Sequence, residues 1–272
     1  MSVAAPAAAA QACDERPRWL RRAVGVASGR GVHVAILDSG VDPGRRLPGL
    51  GPGIGLLDRE APGFRLQPSD DVADLDGHGT VCAEILHRVA PDAVLHPVRL
   101  FHRRRQTSLE VLLAGLRWVV ERRVDVVNLS LCTLNGSLLV PLYRACEQAR
   151  RAGVVVVAAA DGRFGPGLPA AFANTLGVAG GRFADPHDYA YRPGAAVECV
   201  AEARAEVWRP GGRRSPGEAS SYAAPRVAGL VALWLERHPG AGFETLHTLL
   251  SRHALGGPGR GAGRSGEKGD GR

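Results

Sequence analysis

Lysine is nearly missing from this chain: of its 34 basic residues only Lys268 is lysine. Methionine occurs once, and aromatic residues make up 5% of the 272. The longest unbroken apolar run is Val154–Ala160, far short of the roughly 20 residues a membrane helix needs, so no helix is expected to span a bilayer. The five cysteines, Cys13, Cys82, Cys132, Cys146 and Cys199, are odd in number, widely spaced and without a CxxC. That pattern excludes a disulfide framework and a zinc ribbon. Free thiols fit a reducing compartment, and a cytoplasmic location is expected. No C2H2 spacing, RNP-like aromatic run or Walker loop accompanies the net charge of +7, so nucleic acid is not an expected partner. The arginine surplus reads first as genome composition, because positive charge selects a partner only where it is concentrated.

What is present is an ordinary globular balance, 45% hydrophobic and 22% charged, in a chain long enough for one large domain. Residues 1–17 lack the basic start and strong apolar core of a secretory signal and read as a disordered leader or an expression tail. Residues 255–272 are almost all glycine and charge and read as a disordered tail. Between them, 18–254 carries no internal repeat and no linker. Val32–Leu37, Val94–Leu100, Val124–Leu129 and Val154–Ala160 read as buried strands. Ser108–Arg122, with Ser108 as N-cap, Ser137–Arg151, and a stretch from about Tyr222 to Arg237 with Pro225 in its first turn read as helices. Such alternation implies an α/β domain: a mostly parallel sheet covered by helices on both faces, with chemistry at the carboxyl ends of its strands.

Three strand or loop ends carry residues suited to that chemistry. Ile36-Leu37-Asp38-Ser39-Gly40 puts a carboxylate at the tip of an apolar strand. Asp76-Gly77-His78-Gly79-Thr80 holds a histidine between glycines, and Ala219-Ser220-Ser221-Tyr222-Ala223-Ala224-Pro225 leads small residues into the last long helix. Singly, Asp38 could be a turn residue, His78 a capping residue and Ser221 an N-cap. Together they supply a nucleophile, a base and an orienting carboxylate. A serine hydroxyl attacks well only when a neutral imidazole takes its proton, and a buried carboxylate fixes that imidazole's tautomer.

These segments, VAILDSGVD, DGHGTVCAEI and SSYAAPRVAGLVALW, resemble the three signatures of the subtilisin-like serine peptidases. VDVVNLSL is similar to that family's substrate-binding strand, and GVVVVAAADG to the strand leading to its oxyanion hole. The resemblance implies a three-layer subtilisin-like fold and a serine endopeptidase acting without a cofactor on a peptide or protein substrate. It assigns Asp38 as orienting carboxylate, His78 as base and Ser221 as nucleophile, the chain order known of the family. An α/β-hydrolase is excluded, because no G-x-S-x-G elbow is present. The resemblance places Ser130, Leu131 and Cys132 on one wall of the primary pocket and Ala158, Ala159 and Ala160 on the other. Cys132 stands where glycine is usual and should disfavour large aromatic P1 groups. Cys82 follows His78 by one helical turn, as in the branch that keeps a free cysteine beneath the catalytic histidine.

The chain also departs from the family pattern. Asp161, or Gly162 after a shift of one, stands at the position of the oxyanion asparagine, beside the backbone N–H of Ser221; Asp161 is preferred because Gly162 then continues the turn. Losing such a donor costs about 3–4 kcal/mol, a magnitude known from the family itself. Either Asp161 donates as a neutral acid, or the hole relies on Ser221 alone, or the protein is an inactive peptide binder. A family calcium loop is missing after His78, so no metal is expected there, and Asp70, Asp71, Asp74 and Asp76 read as a solvated loop. The resemblance sets Arg103, Arg104 and Arg105 beside the upstream subsites, where they suit an acidic leader peptide or form a solvated turn. Leu168-Pro169 matches a family cis-proline. Only 37 residues precede Asp38, which points to a bare catalytic domain without a signal or folded pro-segment.

Overall fold

Alternation along β1 (His33–Asp38) sends Val34 and Ile36 into one hydrophobic core and Ala35 and Leu37 into another. The computed structural model describes residues 16–45, 47–58, 66–101, 106–161, 163, 165–208 and 213–257. Before β1 lies α1 (Arg18–Val24). After it come β2 (Ile54–Asp58), β3 (Leu66–Ser69), α2 (His78–Val89), β4 (Val94–Arg99), α3 (Leu109–Glu121) and β5 (Val126–Leu129). Then follow α4 (Leu139–Arg151), β6 (Val155–Ala159), β7 (Leu176–Gly181), β8 (Tyr189–Tyr191) and β9 (Cys199–Glu202). A ribbon of β10 (Arg204–Trp208) and β11 (Arg214–Glu218) leads into α5 (Ser220–Arg237) and α6 (Phe243–His253).

Among the described residues nine strands form one sheet in the order β3-β2-β4-β1-β5-β6-β7-β9-β8. Its interior pairs are parallel, and only the edge strands β3 and β8 pair antiparallel. Side chains of α1, α2, α5 and α6 share one core with Val34, Ile36 and Val157, while α3 and α4 share the other with Leu37, Leu129 and Val156. This is the three-layer α/β architecture. Asp38 follows Val34 and Ile36 in the alternation, so its side chain emerges on the α2 and α5 side.

Several boundaries differ from expectation. Ser108 caps α3 through Val111 N–H, as its position implied. Gly136–Leu138, however, is a 3-10 turn that precedes α4. Helix α5 begins at Ser220, not Tyr222, so Pro225 falls in its second turn. The proposed leader and tail lie mostly outside the described residues. Arg16, at the leader's end, is buried and donates to the carbonyls of Ala27 and Val89. Leu255 N–H bonds the Tyr189 carbonyl at 2.8 Å, so the folded unit reaches slightly beyond 18–254 at both ends. Among the described residues no helix is long and apolar enough to cross a membrane.

Candidate active site

The carboxyl end of β1, the first turn of α2 and the first turn of α5 meet at one point. Asp38 is buried there, and its Oδ1 accepts hydrogen bonds from the Ser39 N–H at 2.7 Å and Ser39 Oγ at 3.2 Å. Gly79 N–H donates to Ser39 Oγ at 3.0 Å, tying α2 to the end of β1. The approach is too close for any other residue. A Cβ on Gly79 would lie 2.2 Å from the Gly40 carbonyl oxygen and 3.1 Å from Asp38 Cβ.

His78 Nδ1 lies 2.8 Å and 3.0 Å from the two Asp38 carboxylate oxygens, and its Nε2 lies 2.9 Å from Ser221 Oγ. A carboxylate only accepts, so Nδ1 carries the proton and Nε2 is left to accept from the serine hydroxyl. Burial works against charge on His78, but the Asp38 carboxylate outweighs it and holds the imidazole well above the ordinary histidine range. Tyr222, beside Ser221, packs its ring 5.4 Å from the imidazole.

Ser221 is the second residue of α5, so helix geometry leaves its N–H without an intrahelical partner. Its carbonyl is also released from the helix. Pro225 has no N–H to offer four residues on, and the Ser221 carbonyl instead accepts from Ser130 Oγ at 2.9 Å and Cys82 Sγ at 3.5 Å. Asn128 Nδ2 in turn donates to Ser130 Oγ at 2.9 Å. Cys82 is fully buried under the imidazole, 3.9 Å from Nδ1. Desolvation pushes its thiol up, so it is held as a neutral thiol and not a thiolate. Asp38, His78 and Cys82 present ligand atoms close together, and these belong to the same hydrogen-bonded cluster as Ser221.

A cleft of about 460 Å³ opens onto Ser221. Ser130, Leu131 and Cys132 line one side, Ala159, Ala160 and Asp161 another. Ala158 does not line it. Alternation along β6 turns that side chain into the α3 and α4 core, where it is fully buried. Cys132 and Thr133 face Gly167 and Leu168, and a two-way backbone bridge between Thr133 and Leu168 closes this wall. The Leu168-Pro169 bond is cis. Asp161 Oδ1 accepts the Arg163 N–H at 2.7 Å. Arg103, Arg104 and Arg105 lie outside the described residues. A larger cavity of about 880 Å³, between α6 and residues 170–177, is lined by no triad residue.

Several participants were not anticipated from the sequence. Arg163, Gly180 and Glu218 also line the cleft. Asp74 is no solvated carboxylate. It accepts from the N–H groups of Asp76, Gly77 and Thr80 and from Thr80 Oγ1, capping the helix that carries His78. Burial opposes its charge, yet these bonds hold it below the usual carboxylate range. Asp71 pairs with the buried Arg99 at 2.7 Å.

The profile of the subtilase family matches residues 29–270. A thermostable alkaline protease of Halalkalibacterium halodurans is 30% identical over 78% of this chain, which spans 58% of that protein's length. Subtilisin of Bacillus pumilus is 27% identical over 78% of this chain and 79% of its own. Among solved structures, a cold-adapted subtilisin-like serine proteinase superposes with a TM-score of 0.65 at 23% identity, over 83% of each chain. The MycP3 protease of a type VII (ESX-3) secretion system gives 0.66 at 21% identity, over 90% of this chain and 80% of its own.

Proposed function

The chain belongs to the subtilase family of subtilisin-like serine proteases, and on that premise we propose that it is an endopeptidase cleaving peptide bonds through an acyl-enzyme on Ser221. One observation carries this reading: a continuous relay from Asp38 through His78 to the Ser221 hydroxyl, every link at 2.8–3.0 Å. Ser221 Oγ attacks the scissile carbonyl as His78 Nε2 takes its proton, and Asp38 stabilises the imidazolium formed. The oxyanion develops toward the Ser221 N–H at the start of α5, with Asp161 on the facing wall. His78 then returns the proton to the leaving amine, and water resolves the ester by the reverse sequence. Fluorophosphonate labelling of the purified native protein tests this. Modification of Ser221 is expected, and its absence overturns the reading.

A selective role in removing acidic leader peptides is supported by the +7 net charge and by Arg163 in the cleft wall. Profiling against a peptide library should favour acidic residues upstream of the cut. Cutting indifferent to charge at P2 and P4 refutes this narrower role. The unpaired thiols Cys82, Cys132, Cys146 and Cys199 fit a reducing, cytoplasmic setting. A second reading, a subtilase that binds peptide without cleaving it, is favoured by one observation alone: a carboxylic acid, Asp161, in the cleft where a donor is needed.

A further inference from the structure

Ser221 enters α5 from a ribbon that the main sheet does not hold. Among the described residues β10 and β11 pair only with each other, and a two-stranded ribbon on its own is marginal in water. At its root Ala219 N–H bonds the Ala203 carbonyl. Farther along, Val207 packs on α2 and Trp208 gathers several polar contacts between the ribbon and the rest of the site.

Two guanidinium groups stack on the Trp208 indole, with Arg45 Cζ 3.4 Å and Arg214 Cζ 4.1 Å from the ring centroid. Cations over an indole face are attracted by the ring quadrupole. Each cation is also tied to a second segment. Glu84, on α2 beyond His78, accepts from Arg214 Nη2 at 2.8 and 2.7 Å and from the indole N–H at 3.4 Å. Arg45 pairs with Asp42 at 3.4 Å, and the Asp42 N–H donates to Thr80 Oγ1 on α2 at 3.0 Å. The indole stem also sits over Gly77, whose φ of +89° starts α2; a Cβ there would be 3.2 Å from Trp208 Cβ. Val207 and Tyr222 pack with Val81 and Ile85 directly beneath.

The three segments joined at Trp208 are the turn after Asp38, the helix of His78 and the ribbon that delivers Ser221. We propose that Trp208 is a positioning residue, whose stack with Arg45 and Arg214 sets the ribbon against α2 and so holds Ser221 and Tyr222 in register with His78. Trp208 lines no part of the cleft at Ser221, so its effect falls on turnover and not on peptide binding. A small displacement is enough, since misplacing a reacting group by about 1 Å can cost about 100-fold.

The proposal rests on the peptidase reading, and its test separates the two. In Trp208→Ala, kcat per Ser221 titrated by fluorophosphonate should fall at least tenfold with KM for a short peptide little changed. Trp208→Phe, which keeps a ring for both guanidiniums, should recover most of the loss. The downfield proton resonance of His78 Nδ1–H reports the bond to Asp38 even if no peptide is cut; it should shift or broaden in Trp208→Ala and return in Trp208→Phe. If Trp208→Ala does not fold, Arg45→Ala and Arg214→Ala each remove one stacked cation and carry the same measurements. A folded Trp208→Ala with unchanged kcat and an unchanged resonance overturns the proposal. An unlabelled wild type overturns the peptidase reading instead, leaving the resonance to decide the role of Trp208.

Discussion

Pro225 stands four residues after Ser221, and the carbonyl that a helical N–H would otherwise bind is held by Ser130 Oγ at 2.9 Å. The nucleophile is thus fixed from the sheet side, by β5 and its continuation, as well as by its own helix. Pro225→Ala restores a competing N–H at that carbonyl and removes the ring that crowds it. Activity should fall about tenfold with the fold intact, and Ser130→Ala should produce a similar loss. The pair should be less than additive in a double-mutant cycle of kcat/KM, because both act on one carbonyl.

Because Asp38 raises the pKa of His78 above the ordinary 6.5, the base loses its proton at higher pH than a free imidazole does. The acid limb of kcat/KM should therefore lie above pH 6.5 and move downward in Asp38→Asn, at a cost of about 10⁴-fold in kcat. For stability the sign is opposite. The raised His78 favours the folded state below its unfolded pKa, and that contribution disappears as pH rises through its folded value. Glu202 behaves the other way. Bonds from Arg204 outweigh burial and lower it to about 2, so its contribution is full above the unfolded glutamate pKa and is lost as pH falls toward 2. Thermal melts across pH check both.

Asp161→Asn replaces an acceptor-prone carboxylate with an amide donor on the oxyanion side of the cleft. Turnover should rise about 100-fold, the scale of one such donor. A fall would instead assign Asp161 a donor role or a structural one, the latter consistent with its accepting the Arg163 N–H. Single-turnover acylation of an ester substrate measures this step directly.

The two thiols near the site should behave differently. Cys132 is partly exposed in the cleft wall, whereas Cys82 is sealed beneath His78. Iodoacetamide should modify Cys132 first, while mercurial inactivation should be lost in Cys82→Ala, with basal activity largely retained. Cys132→Gly deepens the pocket and should raise kcat/KM for aromatic over small P1 residues by about tenfold. Peptide mass mapping and paired substrates distinguish the sites.

The buried strands and the chemistry at their ends were legible because each signal is local. Val34 through Leu37 alternate between two cores, and Asp38 interrupts that pattern at the strand tip. The weaker strands hid for physical reasons. β11 (RSPGE) contains Pro216 and Gly217, and β7 (LGVAGG) is half glycine, residues that mark turns unless tertiary pairing overrides them. Asp74 was misread because its cap reaches forward to Thr80, past the glycine at the helix start. Ala158 belongs to the α3 and α4 core, because the cleft is reached only by Ala159 and Ala160, at and just past the end of β6. The Trp208 stack joins residues distant in sequence and leaves no local periodicity to read.

The position of α5 has a consequence for the life of the chain before it is complete. That helix packs against β1, β5, β6, β7, β9 and α2, so it cannot dock until nearly the whole sheet has been synthesised and threaded. Asp38 and His78 emerge early, and their partner arrives among the last structured segments. A nascent or half-folded chain therefore carries an orphaned base and no nucleophile within reach. Parallel sheets assemble slowly and expose sticky intermediates, yet those intermediates cannot digest one another. For the proposed triad, protection of half-made chains from one another follows from the order in which the strands are made.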